Sequence, residues 1–162
     1  MSYLIQFIAA IMSTVGFALV FSVPLKTLLV SAVNGGMGWI VFKYVMDTTG
    51  SKYIAVFLSA LSITFVSEML AKKLRYPASV FIIPGIINLV PGEGIYKTMN
   101  YFVNNQSDLA IASFYSTIVV AGSISFGVLL ASSFSTSLKS FRTRSVNRTN
   151  YLRWKKWLKK YI

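Results

Sequence analysis

The sequence predicts an all-α, polytopic integral membrane protein. It would have about five transmembrane helices, one of them broken by Pro-Gly pairs, and a basic amphipathic helix at the C-terminal end. Hydrophobic side chains make up 55% of the 162 residues and charged ones only 12%, and the mean hydropathy is +0.64. Several windows reach the roughly 20 apolar residues that a helix needs to cross a bilayer. Nine of the sixteen Lys and Arg residues follow residue 138, so the basic charge belongs to a tail.

Residue types that are missing exclude several kinds of site. The sequence has no cysteine and no histidine, which rules out thiol catalysis, disulfides, His-metal sites and Ser-His nucleophile pairs. We therefore expect no catalytic residues, no enzymatic activity, no cofactor and no metal site. The opening MSYLIQF has no basic region before the first apolar segment, which favours a retained span over a signal peptide.

The first three spans follow from hydropathy. Residues 3–23 are uncharged, residues 27–46 carry the motif NGGMG, and residues 53–71 follow the polar turn DTTGSK. In the second span, Ser31 with Gly35 and Ala32 with Gly36 form small-xxx-small pairs, which allow close helix packing in lipid. We expect this face to pack against another helix.

Two polar groups in these spans have a structural and a functional interpretation. Asn34 lies in the middle of a span, where it can bond across helices or contact a solute. Glu68 lies four residues before Lys72, so an ion pair at the membrane surface explains it without a further role.

The last predicted span covers residues 109–134, and its many Ser, Thr and Gly residues suggest a helix that faces the bundle. We expect a transmembrane domain over residues 1–134 and a basic cytoplasmic tail over residues 135–162. The tail begins with a Ser/Thr-rich linker and ends in YLRWKKWLKKYI, which favours an amphipathic helix on an anionic membrane surface over nucleic-acid or partner binding. The expected surface residues are Trp154, Lys155, Lys156, Trp157, Lys159 and Lys160.

The stretch FIIPGIINLVPGEGIYKTM, residues 81–99, interrupts this regular pattern. Residues 78–90 are too few to span a bilayer, but together with residues 95–103 they are long enough. The segment either crosses as a broken span or re-enters. Crossing puts Lys26, the run KKLR and the basic tail on one side, which the positive-inside rule makes cytoplasmic, with the N-terminus external.

The two Pro-Gly pairs release backbone carbonyls at membrane depth, where only protein or a water-filled cavity can cover them. Broken helices of this kind often mark the substrate site of a transporter. The alternative is that PGEG is an interfacial turn with its carboxylate in water. The candidate substrate-binding residues are Pro84, Gly85, Asn88, Pro91, Gly92, Glu93, Gly94, Tyr96 and Asn34.

The stretches GFALVFSVP (16–24) and IPGIINLVPGEGIYKTM (83–99), with the glycine-rich second span, resemble the small-subunit branch of the threonine/serine exporter (ThrE) family. That branch includes the smaller half of a two-component succinate exporter. The resemblance covers about residues 10–130, and Pro84, Gly85, Pro91, Gly92 and Tyr96 fall on the family's motif. Glu93 and the long basic tail depart from it.

The resemblance implies a small subunit of a bacterial inner-membrane exporter for small amino or carboxylic acids, working with a larger membrane subunit of the same family. Residues alone leave two alternatives open: a homo-oligomeric membrane channel, and an adaptor that acts through the basic tail. The expected partners are the larger subunit, the lipid bilayer, the solute, or further copies of the chain.

Overall fold

A computed structural model describes the backbone of residues 3–161 and the side chains of residues 3–135 and 137. Its secondary structure is helical throughout the described residues. The elements are α1 (Tyr3–Val20), α2 (Leu25–Thr49), α3 (Lys52–Leu74), α4 (Ser79–Ile86), a 3₁₀ turn (Ile87–Leu89), α5 (Gly92–Val103) and α6 (Ser107–Tyr161). Helices are expected here because peptide groups in hydrocarbon must be hydrogen-bonded within the chain. The predicted all-α membrane fold is confirmed.

The first two helices form an antiparallel hairpin. The Tyr3 hydroxyl at the start of α1 donates to Asp47 near the end of α2 (2.7 Å), and Lys43 pairs with the same carboxylate. α2 stops at Gly50, whose φ of 66° is left-handed and whose N–H bonds the Met46 carbonyl. This end of the bundle also carries Lys52, and we call it the Lys52 side; the opposite end is the Lys72 side.

Helices α3 and α6 run in the same direction. Near the start of α3, the Tyr53 and Ser116 hydroxyls lie 3.4 Å apart. Near its end, Lys72 Nζ donates to Ser135 Oγ (2.8 Å), which in turn donates to Glu68. Because both helices finish on the Lys72 side, the intervening segment returns the chain to the Lys52 side. This packing agrees with the crossing alternative.

That returning segment is bent. Ser79–Leu89 and Gly92–Val103 meet at an angle of 47°. Four other helices are long and apolar enough to cross a membrane, so the described chain has four candidate crossings, or five if the bent pair is one span. The first Pro-Gly pair does not interrupt it, since α4 continues through Pro84 to Ile86. The α-helix changes to the 3₁₀ turn after Ile86, and the helical path ends just before the second pair.

Small side chains dominate the interior. Ala18, Ala32, Ala55 and Ala60 are fully buried, and Ser31, Ser59 and Thr14 are equally inaccessible. Larger apolar groups, among them Phe81 and Ile63, fill the remaining space. Helix association in lipid relies on such close packing because lipid tails are themselves apolar. The prediction that the small residues of α2 face other helices is confirmed.

The expectation that the last span, residues 109–134, faces the bundle is correct only in part. Gly127 is buried against the backbone of Phe57 and Leu61, but Ser125 is exposed and bonds the carbonyl of Ala121 in its own helix. A Ser hydroxyl that donates to the carbonyl one turn earlier in its own helix is satisfied even on a lipid-facing surface. Most of α6 therefore faces outward.

The backbone of α6 is helical from Ser107 to Tyr161, including the Ser/Thr-rich stretch expected to be a linker, and the division into a transmembrane domain and a tail stays a prediction. The tail side chains predicted to contact the membrane surface lie outside the described residues, and that role stays a prediction.

The direction of α6 leads to a topology prediction. We expect single cysteines at Ser51 and Gln106 to react with an impermeant thiol reagent from one face, and a cysteine at Lys73 to react from the other. Because the sequence has no cysteine, the unaltered chain provides the control for labelling without a thiol. If Gln106→Cys reacts from the same face as Lys73→Cys, residues 79–103 re-enter and the five-crossing arrangement is wrong.

Candidate functional site in the membrane interior

The centre of the bundle is a close crossing of α1, α2 and α4. A Cβ added at Gly35 would lie 3.2 Å from the Cα of Gly85 and would overlap the Thr14 hydroxyl. One added at Gly85 would lie 2.8 Å from Ile63. An added Cβ at Gly35 would crowd the backbone of Gly85 as well as Thr14, whereas one at Gly85 would crowd the Ile63 side chain, so both positions favour glycine.

Pro84 leaves one carbonyl in α4 without its usual partner. A proline nitrogen cannot donate to the residue four positions earlier, which here is Val80. The Ser31 hydroxyl on α2 donates to the Val80 carbonyl instead (3.2 Å). The first proline is thereby accommodated inside a packed helix, and the neighbouring helix supplies the missing hydrogen bond.

Asn34 is buried and bonds across the bundle. Its Nδ2 donates to Ser67 Oγ (2.8 Å) and to the Ile63 carbonyl (3.3 Å). These contacts tie α2 to α3, as the structural interpretation of this residue expects. A Cβ at Gly85 would lie only 3.7 Å from the same amide nitrogen, so Asn34 also adjoins α4.

Asn88, in the 3₁₀ turn, reaches α1. Its Nδ2 donates to Thr14 Oγ1 (2.8 Å) and to the Ala10 carbonyl (3.3 Å), and the Thr14 hydroxyl also donates to that carbonyl (2.8 Å). The side chain of Asn88 remains partly exposed. It is therefore both bound to the bundle and accessible from one side.

The accessible side of Asn88 opens into a cleft of about 370 Å³. One face of α1 forms a wall, and the Trp39 Nε1 donates to Gln6 Oε1 (3.3 Å) across it. The lining side chains carry no formal charge and are Gln6, Ala9, Ala10, Ser13, Trp39, Ile87 and Asn88. A polar recess between membrane helices is a suitable place for a small hydrogen-bonding solute.

The break itself is a tight turn. Pro91 has φ −78° and ψ 54°, and the Gly92 N–H donates to the Val90 carbonyl (2.8 Å). These are the features of an inverse γ-turn. The Ile95 N–H then bonds the Pro91 carbonyl (3.1 Å) and starts α5.

The residues after the break lie at the Lys52 side. Glu93 forms an ion pair with Lys97 one turn later (2.6 Å), and both side chains are exposed. Tyr96 is also exposed. Gly94 packs on α6, where a Cβ would overlap the Thr117 hydroxyl.

A model of the threonine/serine exporter family, ThrE, matches residues 6–134, which cover almost all of the candidate membrane spans. The chain belongs to the ThrE family. An uncharacterized protein of Haemophilus influenzae is 29% identical over 129 residues, which cover 75% of this chain and 43% of that protein. The match to the ThrE-family chain therefore covers less than half the length of this relative. No solved structure matches it.

In this ThrE-family chain, the predicted site residues form two groups. Asn34, Pro84, Gly85 and Asn88 lie deep in the bundle, while Gly92, Glu93, Gly94 and Tyr96 lie on α5, with Pro91 at the joint. The structure does not bring the two groups into one pocket. Among the described residues, no group of three or more acidic side chains is placed to hold a metal ion.

Sequence reasoning missed the α1 side of the cleft. Gln6, Ala9, Ala10 and Ser13 recur at helical spacing and share one face, and Thr14 adjoins them. The available signal was the pair Gln6 and Ser13, seven residues apart in an otherwise apolar span, since positions at this spacing face the same way.

The glycine crossing gives a stability prediction. We expect Gly35→Ala to lower the free energy of unfolding in detergent by about 1–3 kcal/mol, because the added methyl group overpacks a backbone contact. Gly16→Ala is the matched control, since a Cβ there has no neighbour within 4 Å. Thermal unfolding monitored by circular dichroism measures both variants, and equal stabilities would show that the crossing is not tightly packed.

Proposed function

We propose that the chain is the small membrane subunit of a secondary exporter for small amino acids or carboxylic acids, and that it works with a larger membrane subunit. The observation that carries the proposal is the uncharged polar cleft at Asn88, next to the broken helix of a ThrE-family bundle. A solute crossing the membrane needs hydrogen-bonding groups at mid-depth, where lipid offers none.

The shape of the cleft supports the need for a second subunit. It is formed by one face of α1 with Trp39 and the 3₁₀ turn, and it is open on the side away from the bundle. A solute bound there would be exposed to lipid unless another protein surface covered it. In the Haemophilus influenzae relative, the matched region is joined to further sequence that makes up more than half of that protein. In our proposal, a separate larger subunit would stand in for that further sequence.

Within the site, we assign Asn88, Gln6 and Ser13 to solute binding at mid-depth. The exposed residues of α5, including Glu93 and Tyr96, would flank the Lys52-side end of the path. Asn34 contributes by holding α2 and α3 beside α4. In this assignment, Glu93 acts near the exit and not at the deep binding position.

Charge distribution supports a location in a bacterial cytoplasmic membrane with the Lys72 side inside. Lys26, Lys72, Lys73 and Arg75 lie on that side, as does the tail in the five-crossing order. The Lys52 side carries Asp47 and Glu93 beside its lysines, which leaves it with less net positive charge. The positive-inside rule then makes the N-terminus external.

The two-subunit proposal predicts that solute efflux requires co-expression. We expect cells that contain this chain with a larger ThrE-family subunit to release a small amino or carboxylic acid, and cells that contain either protein alone to release little. A screen of candidate amino acids and dicarboxylic acids by mass spectrometry identifies the solute. Full efflux from vesicles reconstituted with this chain alone would contradict the proposal and favour a homo-oligomeric channel.

The cleft predicts which side chain matters for transport. We expect Ser13→Leu to reduce efflux by about tenfold or more, because the branched side chain fills the recess beside Asn88. Ser125→Leu is the matched control, since Ser125 is an exposed serine on α6, away from the cleft. Membrane insertion of both variants is checked by immunoblotting. Equal efflux from the two variants would place the solute path elsewhere.

A further inference from the structure

The cleft beside Asn88 contains two side-chain amides, those of Asn88 and Gln6. Each amide can turn either its oxygen or its nitrogen toward a solute. The atom that faces the cleft decides which solute groups can bind, because an amide oxygen only accepts hydrogen bonds and an amide nitrogen only donates them. Neighbours that can act only as donors or only as acceptors determine this orientation.

Two acceptors on α1 fix the amide of Asn88. The Ala10 carbonyl can only accept, and it takes one N–H from Asn88 Nδ2 (3.3 Å). The Thr14 hydroxyl gives its single hydrogen to the same carbonyl (2.8 Å), so it can only accept from Asn88 Nδ2 (2.8 Å). Both N–H groups of Asn88 are thereby used. Among the contacts of the described residues, Oδ1 is the atom of this amide that is left for a solute.

The amide of Gln6 is fixed in the opposite sense. The indole Nε1 of Trp39 can only donate, and it donates to Gln6 Oε1 (3.3 Å). This contact leaves Gln6 Nε2, with its two hydrogens, for a solute. The cleft therefore offers one amide acceptor and one amide donor, while the Ser13 hydroxyl that also lines it can act in either role.

The amide acceptor and the amide donor lie at different depths. Gln6 precedes Ala10 by four residues on α1, so it lies one helical turn, about 5–6 Å, closer to the Lys52 side than the contact of Asn88 with Ala10. Tyr3, at the start of the same helix, bonds Asp47 on that side. A solute that bridges the two amides would therefore lie along α1, with its own donor group at the deeper end.

Building on the proposed exporter function, we propose that the cleft holds a small α-amino acid in one orientation, with its ammonium on Asn88 Oδ1 and its carboxylate on Gln6 Nε2. An α-amino acid carries both groups on one carbon, and hydrogen bonds of about 2.9 Å at either end let it bridge amides one turn apart. These two groups are common to all α-amino acids. The choice among amino acids therefore falls to the surface that covers the cleft.

A carboxylic acid without an amino group fits this pair of amides poorly. An ionised carboxylate has only acceptors, so a dicarboxylate would place an oxygen against Asn88 Oδ1. Sites that bond a polar group of a solute reject analogues that lack the group, because the polar atom of the site is then left unpaired. Hydrogen-bond direction therefore separates amino acids from dicarboxylic acids in this cleft.

Binding of three matched solutes tests this orientation without requiring transport. Ethanolamine is L-serine without its carboxylate, and 3-hydroxypropionate is L-serine without its ammonium. We expect L-serine to bind about tenfold or more tightly than either analogue, measured by competition with radiolabelled L-serine in membranes that contain the chain and a larger ThrE-family subunit. Equal affinity for L-serine and 3-hydroxypropionate, or no binding of L-serine, would overturn the proposal. Efflux from the same cells tests the proposed function separately.

The variant Gln6→Glu reverses one end of the site at nearly constant volume. One carboxylate oxygen can still accept from Trp39, but the other cannot donate to the carboxylate of a solute and repels it. We expect about tenfold weaker binding of L-serine and no weaker binding of ethanolamine, which has no carboxylate. Gln106→Glu is the matched control, since Gln106 is an exposed glutamine in the turn after α5. Equal weakening of both solutes by Gln6→Glu, or the same change in Gln106→Glu, would contradict the assignment of the carboxylate to Gln6.

The orienting role of Thr14 is tested by a second pair of variants. Thr14→Val keeps the side-chain volume but removes the hydroxyl that accepts from Asn88, which allows the amide to turn. We expect the preference for L-serine over 3-hydroxypropionate to fall about threefold or more, the equivalent of one hydrogen bond, and Thr14→Ser to retain the preference. An unchanged preference in Thr14→Val would contradict the proposed orientation of Asn88.

Discussion

The backbone contact between α2 and α4 at Gly35 and Gly85 determines where the interior polar groups lie. With no side chain at either position, the two helices approach closely enough for Ser31 to reach the Val80 carbonyl (3.2 Å). The same approach places Asn88 one turn beyond the crossing, level with Thr14 on α1. A larger residue at the crossing would separate the helices and leave a carbonyl without a partner in hydrocarbon, where the cost is several kcal/mol (an approximate value).

The two prolines of residues 84 and 91 have different consequences because their surroundings differ. Pro84 lies where α2 supplies a donor for the released carbonyl, so the helix continues. The carbonyl four residues before Pro91 is that of Ile87. Within the 3₁₀ turn it accepts a hydrogen bond from the Val90 N–H (3.2 Å), and the helical path ends there. In this chain, the proline whose released carbonyl is bonded by a neighbouring helix stays within α4, and the other lies at the bend.

Much of this fold could be predicted from local sequence, but its polar contacts could not. Hydropathy gave the crossings, and the spacing of Ser31 and Gly35 gave the packed face of α2, because both signals lie within one helix. The bond from Asn88 to Thr14 joins residues 74 positions apart, so no local pattern contains it.

Under the proposed function, the arrangement of charge limits how this chain would take part in export. Its cleft offers amide, hydroxyl and indole groups, while the charged side chains of the described residues lie at or near the ends of the helices. This arrangement avoids the cost of an ion in a low-dielectric interior. An amino or carboxylic acid carries its own charge through the same region, and neutral dipoles alone compensate that charge weakly. Under the proposed function, the stronger electrostatic partner for the solute would belong to the surface that closes the cleft, so the larger subunit would decide which acid is carried.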